Sequence, residues 1–198
     1  MKKLLLCILS TIILLTSCTW SKDERVISKI ERIYGKYNGY KCQTITKIIT
    51  GEKESIYTTE ETFTKPNKYK LEILKPKESQ GIIILNLDDK ISVEHPSIEQ
   101  SISLVTVKSL NKQILIGDFF QRLSKSKLLK SHDINDEEFL VFEIKLEEKN
   151  KYRDTARIWL NKKDYIPYKL NIYDESGSLK VEIRYEKFKF IRSIKNIT

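Results

Sequence analysis

Apolar residues recur at two different periods along this chain, and the changes of period divide it into elements. Val26, Ile27, Ile30, Ile33, Tyr34 and Tyr37 fall three or four residues apart, which places them on one face of a helix. Asp23 can cap that helix, and the stretch from Gly35 to Gly39 ends it. From Tyr40 the period drops to two. Tyr40 to Thr50 reads as a β-branched strand, Gly51-Glu52 as a turn, and Ser55 to Lys65 as a second strand that stops at Pro66-Asn67. In Lys68 to Lys75, Tyr69, Leu71 and Ile73 alternate with Lys68, Lys70 and Glu72, and Pro76 closes the run. Gly81 to Leu87 is a denser apolar run, turned at Asp88-Asp89 into Lys90 to Glu94, which stops at His95-Pro96. Ser97 to Lys112 fits neither period cleanly.

Gly117-Asp118 opens a second helical pattern whose stripe is Phe119, Phe120, Leu123 and Leu128-Leu129, ending near Lys130. Alternation then returns. Phe139 to Leu146, Lys151 to Leu160, Pro167 to Asp174 and Leu179 to Phe190 read as strands, separated by turns at Asn161 to Asp164 and Asp174 to Gly177. The predicted fold class is α+β, mainly β, with about eight to ten antiparallel strands. Strands with one apolar face must bury it. A strongly curved sheet, an open half-barrel with an N-terminal helix and a central helix plugging its concave face, satisfies every stripe.

The first residues follow a different rule. Lys2 and Lys3 precede an apolar run from Leu4 to Leu15, which is short for a membrane span and has the plan of a secretory signal. The run leads into Leu15-Thr16-Ser17-Cys18. This resembles the lipobox of bacterial lipoproteins, in which cleavage would follow Ser17 and the thiol of Cys18 would carry the lipid. The expected organisation is a signal over 1–17, a short tether over 18–24 and one domain over 25–198. The expected location is extracytoplasmic, anchored by lipid.

That reading settles the cysteines. Cys7 leaves with the signal and Cys18 is acylated, so Cys42 has no partner within the chain. A reactive thiol and a dimer bridge are alternatives, but its place in a strand-like run favours burial. The formal net charge is +9; without Lys2 and Lys3 the mature chain keeps 34 basic and 27 acidic residues, a net +7. A basic lipoprotein suits anionic head groups or wall polymers. Nucleic acid is not an expected partner outside the membrane. Lys outnumbers Arg 29 to 7 and Ala156 is the sole alanine, a bias typical of an AT-rich genome and pointing to a low-GC Gram-positive bacterium.

Catalytic constellations are not legible. His95 and His132 are the two histidines, each in a predicted loop and neither at zinc-ligand spacing. No nucleophile elbow, phosphate-binding glycine loop or dinucleotide fingerprint occurs. Asp88-Asp89 and Asp136-Glu137-Glu138 read as a turn and a solvated loop. The expectation is a non-enzyme with no metal and no cofactor. Tyr34, Tyr37 and Tyr40 read as a packing seam, and Lys187, Lys189, Arg192 and Lys195 as a solvated basic strand end.

The order of helix, meander, helix, meander on a lipid tether resembles the lipoprotein-carrier superfamily of the LolA and LolB proteins. Phe63-Thr64-Lys65-Pro66-Asn67-Lys68-Tyr69-Lys70-Leu71-Glu72 is similar to its aromatic, proline, basic and acidic strand pair. Asp88-Asp89-Lys90-Ile91-Ser92-Val93 stands where it has an Asp-Gly-Lys hairpin, with Asp89 in place of glycine. Trp159-Leu160-Asn161 to Tyr165-Ile166-Pro167-Tyr168-Lys169-Leu170 resembles its last large hairpin, and Asp174-Glu175-Ser176-Gly177 the following turn. The resemblance covers roughly residues 25–190 and implies a hydrophobic cup that takes acyl chains or a partner's segment. Size, tether and composition further resemble the clostridial spore-germination lipoproteins of the GerS kind.

That second resemblance implies an adaptor for a cortex-modifying N-acetylmuramoyl-L-alanine amidase. The candidates for core or cup lining are Phe63, Leu71, Ile73, Ile83, Phe119, Phe120, Ile158, Leu170 and Ile172. So many large side chains at inward positions imply a filled cup, which favours an adaptor over a lipid carrier. The partners expected are therefore a cell-wall amidase, the membrane through the N-terminal lipid, and a second copy. The open sheet edges suggest a homodimer, with Ser97 to Lys112 as the hinge of a strand exchange.

Overall fold

A computed structural model of the chain describes residues 22–87, 90–95, 98–105, 115–129, 132–134, 137–150 and 152–192. The lipobox residues Leu15, Thr16, Ser17 and Cys18, the Asp88-Asp89 turn and the whole of the ambiguous stretch beyond Val105 lie outside them.

Helix α1 (Lys22–Gly35) begins the described chain. Asp23 stands within its first turn rather than at the cap, where its charge still favours the positive end of the helix. Six strands follow as a meander: β1 (Gly39–Thr50), β2 (Lys53–Thr64), β3 (Lys68–Lys75), β4 (Ile83–Leu87), β5 (Lys90–His95) and β6 (Ile98–Val105). Ile98 to Val105, ambiguous by pattern, is thus a strand on β5.

Helix α2 (Ile116–Gln121) is one and a half turns long, shorter than the pattern predicts, and a 3-10 turn η1 (Leu123–Lys125) follows it. Leu128 does not continue the helix. It belongs to β7 (Lys127–Leu128), opposite Phe142, and the N–H of Leu129 donates to the carbonyl of Val141 at 2.7 Å. Two adjacent leucines satisfy a helical stripe and an edge strand equally well, so the pattern alone could not choose. The chain finishes with β8 (His132–Ile134), β9 (Glu137–Asn150), β10 (Arg153–Asn161), β11 (Pro167–Tyr173) and β12 (Leu179–Ile191).

All twelve strands form one antiparallel sheet in the order β6-β5-β4-β3-β2-β1-β12-β11-β10-β9-β7, with β8 also on β9. Ten are substantial; β7 and β8 have two and three residues. The two meanders are joined by β1 and β12, the first and last of these strands, paired from Gly39–Ile191 to Ile48–Val181. Among the described residues this order has two ends, and the sheet is open.

Both helices pack on the same face of the sheet. Ile30 and Tyr34 of α1 and Ile116, Phe119 and Phe120 of α2 share one cluster with Tyr40, Phe63, Phe142, Ile158, Leu170, Ile172 and Tyr185 of the strands. The alternation that fixes this face breaks once in β12. Lys187 adopts φ 52° and the β1–β12 register slips between Lys41 and Gln43. Glu186 and Lys187 are consequently both exposed, and Phe188 returns to the core. A bulge of this kind lets one strand serve two apolar sets out of phase.

Candidate interaction surface

The helix-covered face is built around aromatic rings. Tyr34, Tyr37 and Tyr40 each stack on a different partner: Phe120 at 4.7 Å, Phe190 at 4.8 Å and Phe188 at 4.9 Å. The seam expected of these tyrosines is therefore where α1 meets β12 and α2. Lys65 closes the end of α1, its ammonium 2.7 Å from the Tyr34 carbonyl and 3.8 Å from the Tyr34 ring centroid. A cation at the carbonyl end of a helix is favoured by the helix dipole.

Phe63 fixes α2. Its ring is fully buried and lies 5.2 Å from Tyr40 and 4.7 Å from Tyr69. A Cβ added to Gly117 would stand 2.9 Å from the Phe63 ring, so only glycine lets the backbone of α2 rest there. The Gly117 N–H donates to the Tyr40 hydroxyl oxygen at 3.2 Å, and that hydroxyl donates in turn to Oε1 of Glu61. Glu61, 3% exposed, is the one buried carboxylate of β2; it stands opposite Cys42 on β1 and Leu71 on β3. Burial raises its pKa to about 7, with the Tyr40 hydrogen bond pulling the other way. Burial also pushes the Cys42 thiol up, helped by Glu61 and Glu60. A raised thiol pKa and 2% exposure make Cys42 a packed, unreactive side chain.

The nine candidate core or cup residues divide three ways. Phe63, Phe119, Phe120, Ile158, Leu170 and Ile172 are buried together in the central cluster. Leu71 and Ile73 are half-buried on the same face. Ile83 is a correction: it pairs with Glu72 and Glu94 and so lies on the opposite face, whereas Ile84, opposite Leu71 and Val93, takes the inward place. An apolar run without alternation carries no phase information. Leu71, Ile84 and Val93 form a half-buried apolar row beside the filled centre.

On the other face, Phe139 and Val141 of β9 are buried at one end, and charged side chains dominate beyond them. Arg157 pairs with Glu143 at 2.7 Å, Lys180 with Asp174 at 3.0 Å, and Lys145 with Asp154. Arg157, Glu143, Asp174, Lys145 and Asp154, with Thr155 and Tyr173, line a cleft of about 220 Å³ in which opposite charges already meet. Asp174 also accepts from the Ser176 hydroxyl and from the backbone N–H of Ser178, and with Lys180 these hold its carboxyl well below the usual range. Among the described residues no group of three His, Cys, Asp or Glu side chains is placed to hold a metal ion. No helix among them is long and apolar enough to cross a membrane.

The YdcC family, described as "Sporulation protein YdcC-like", matches residues 1–197. The chain belongs to the YdcC-like sporulation protein family. It is similar to sporulation protein YdcC of Bacillus subtilis (strain 168), with 26% identity over 190 residues, covering 94% of this chain. It spans 56% of that relative's length.

Among solved structures it resembles the GerS lipoprotein of Clostridioides difficile, solved in complex with the CwlD amidase. The TM-score is 0.55 and the identity 24%, over 88% of this chain and 99% of that one. It also resembles a putative outer membrane lipoprotein-sorting protein domain of Vibrio parahaemolyticus, with TM-score 0.50 and 14% identity, over 88% and 95% of the two chains. At these identities the likeness is one of fold. The fold is LolA-like, as the resemblance in the sequence implies.

Proposed function

We propose that the chain is a lipid-anchored extracytoplasmic adaptor of spore-forming cells, one that binds and positions or activates a cell-wall amidase acting on the spore cortex. The observation that carries this reading is the filled face. Ile116, Phe119, Phe120 and Leu123 are buried over the sheet in one cluster with its inward side chains. A sheet whose apolar face is satisfied internally offers its surface and edges to other proteins. Membership of a sporulation family supports the setting, and the complex of the fold neighbour GerS with an amidase supports the partner class. No catalytic role is proposed for any residue. In cells entering sporulation, the amidase encoded in the same genome should co-purify with the tagged full chain extracted in mild detergent. Its absence from the eluate, judged with an antibody to the amidase, sinks the reading.

A second reading rests on the half-buried row Leu71, Ile84 and Val93, which gives the same face a residual apolar strip. Under it the chain binds a lipid or lipopeptide there. Solvent extraction of the purified protein followed by mass spectrometry distinguishes the two, since the carrier reading requires a stoichiometric lipid beyond the anchor.

The anchor itself is proposed at Cys18. Cys18→Ala should move nearly all of the protein from the membrane fraction to the supernatant or leave it unprocessed, because the acyl chains on this one residue supply the attachment. Incorporation of a fatty-acid probe into the Cys18→Ala protein would contradict the assignment.

A further inference from the structure

The C-terminal meander ends on an incompletely covered strand. On one side β9 pairs with β10. On its other side β8 reaches only as far as Phe139, and β7 covers Phe142 and Glu143. Among the described residues no strand lies beside β9 on that side from Ile144 to Asn150. The Leu129 N–H meets the carbonyl of Val141. Backbone groups alternate sides along a strand, so Glu143 and Lys145 turn theirs the same way, and those of Lys145 meet no neighbouring strand among the described residues. Such an edge is a template for a further strand.

A cleft of about 280 Å³ opens at this place, lined by Arg122, Lys125, Lys127, Glu143, Ile144 and Lys145. Four cations and one carboxylate line it; Lys145 pairs with Asp154 and Glu143 with Arg157, and the lining keeps an excess of positive charge. Arg122 is held in place by Asp118, with its side chain 13% exposed, and its buried Nε has no hydrogen-bond partner. Ile144, buried, supplies an apolar floor. The cleft therefore joins a positive wall to an open strand edge.

We infer that the β9 edge is a docking site for an extended segment of a partner protein, added as a further strand with acidic side chains at the end that lies over Arg122, Lys125 and Lys127. Main-chain hydrogen bonds along the edge supply affinity, and the cations choose the partner and its register. A second copy of this chain is a poorer occupant. It would bring its own Arg122, Lys125, Lys127 and Lys145 to the same edge, setting like charge against like. The site does not depend on which enzyme the adaptor serves.

The test uses the full chain in mild detergent and labelled synthetic peptides of alternating valine and threonine with glutamates at one end or the other. At low salt one of these peptides should bind saturably. Lys125→Glu with Lys127→Glu, both exposed positions, should weaken binding at least about tenfold. Lys145→Pro should weaken it about tenfold relative to Lys145→Ala, because both lose the charge but only proline loses the edge N–H. Melting curves confirm that each variant is folded. The inference fails if neither peptide binds saturably, or if the charge-reversed variant binds as well as the parent. It fails equally if a peptide of the same charge interrupted by prolines binds as tightly. A mass that doubles with concentration, and is lost in Lys145→Pro, assigns the edge to a second copy instead.

Discussion

Replacing Phe63 by alanine is expected to lower the unfolding free energy by about 3–5 kcal/mol, the usual cost of deleting a buried phenyl ring. The site has little means of collapsing around the loss. Phe63 is fully buried between Tyr40 and Tyr69, and the backbone of α2 rests on it through Gly117. Removing the ring would undo both the aromatic contacts of β1 to β3 and the support beneath α2. Domains of this size hold only about 5–15 kcal/mol in all, so the variant should lose a large share of its stability. Urea denaturation followed by far-UV circular dichroism measures it. A loss below about 1 kcal/mol, which a surface position would show, would mean that α2 does not dock through Phe63.

The second large effect depends on pH. Glu61 keeps its proton in the folded chain up to about pH 7, because burial disfavours the carboxylate more than the Tyr40 hydroxyl stabilises it. In the unfolded chain it ionises near the ordinary value for glutamate, about 4.3. Between those values the native state binds more protons than the unfolded state, so stability falls as pH rises. The contribution is complete below the unfolded value and is lost through about pH 7, with a total of about 4 kcal/mol.

Glu61→Gln keeps the shape, accepts the Tyr40 hydroxyl and cannot ionise. Its stability relative to the parent should therefore improve between pH 5 and pH 8, as read from urea midpoints at a series of pH values. A parent and a Glu61→Gln variant that change in parallel across this range would remove Glu61 as the titrating group. The sequence hides this residue. Glu60 and Glu61 are adjacent and equally charged, and only the register that places Thr59, Glu61 and Phe63 on one face shows which of them is buried.

Other parts were legible for stated reasons. Alternation in β3, β9, β10 and β11 named the inward residues because each of these strands carries charged residues on its other face, and Leu170, Ile172 and Ile158 are buried as that pattern requires. The α1 stripe holds because Ile30 and Tyr34 recur at helical spacing against charged neighbours. Where a run lacks polar punctuation the phase was lost, and Ile83 was placed on the wrong face. The length of α2 was lost because Leu128-Leu129 fits either period. The β12 bulge leaves a trace, since Tyr185 and Phe188 stand three apart in a strand otherwise spaced by two, but its cause is the pairing with β1. The cationic cleft is a tertiary feature. Arg122, Lys125 and Lys127 meet Lys145 only because β7 folds onto β9.

The most direct test of the adaptor reading is sedimentation velocity on the purified full chain mixed with the amidase from the same genome, both in mild detergent at micromolar concentration. The account predicts a new, faster boundary containing both proteins, which persists when exogenous phospholipid is added because the helix-filled face is not required for lipid. Two boundaries that sediment independently at every mixing ratio would contradict it.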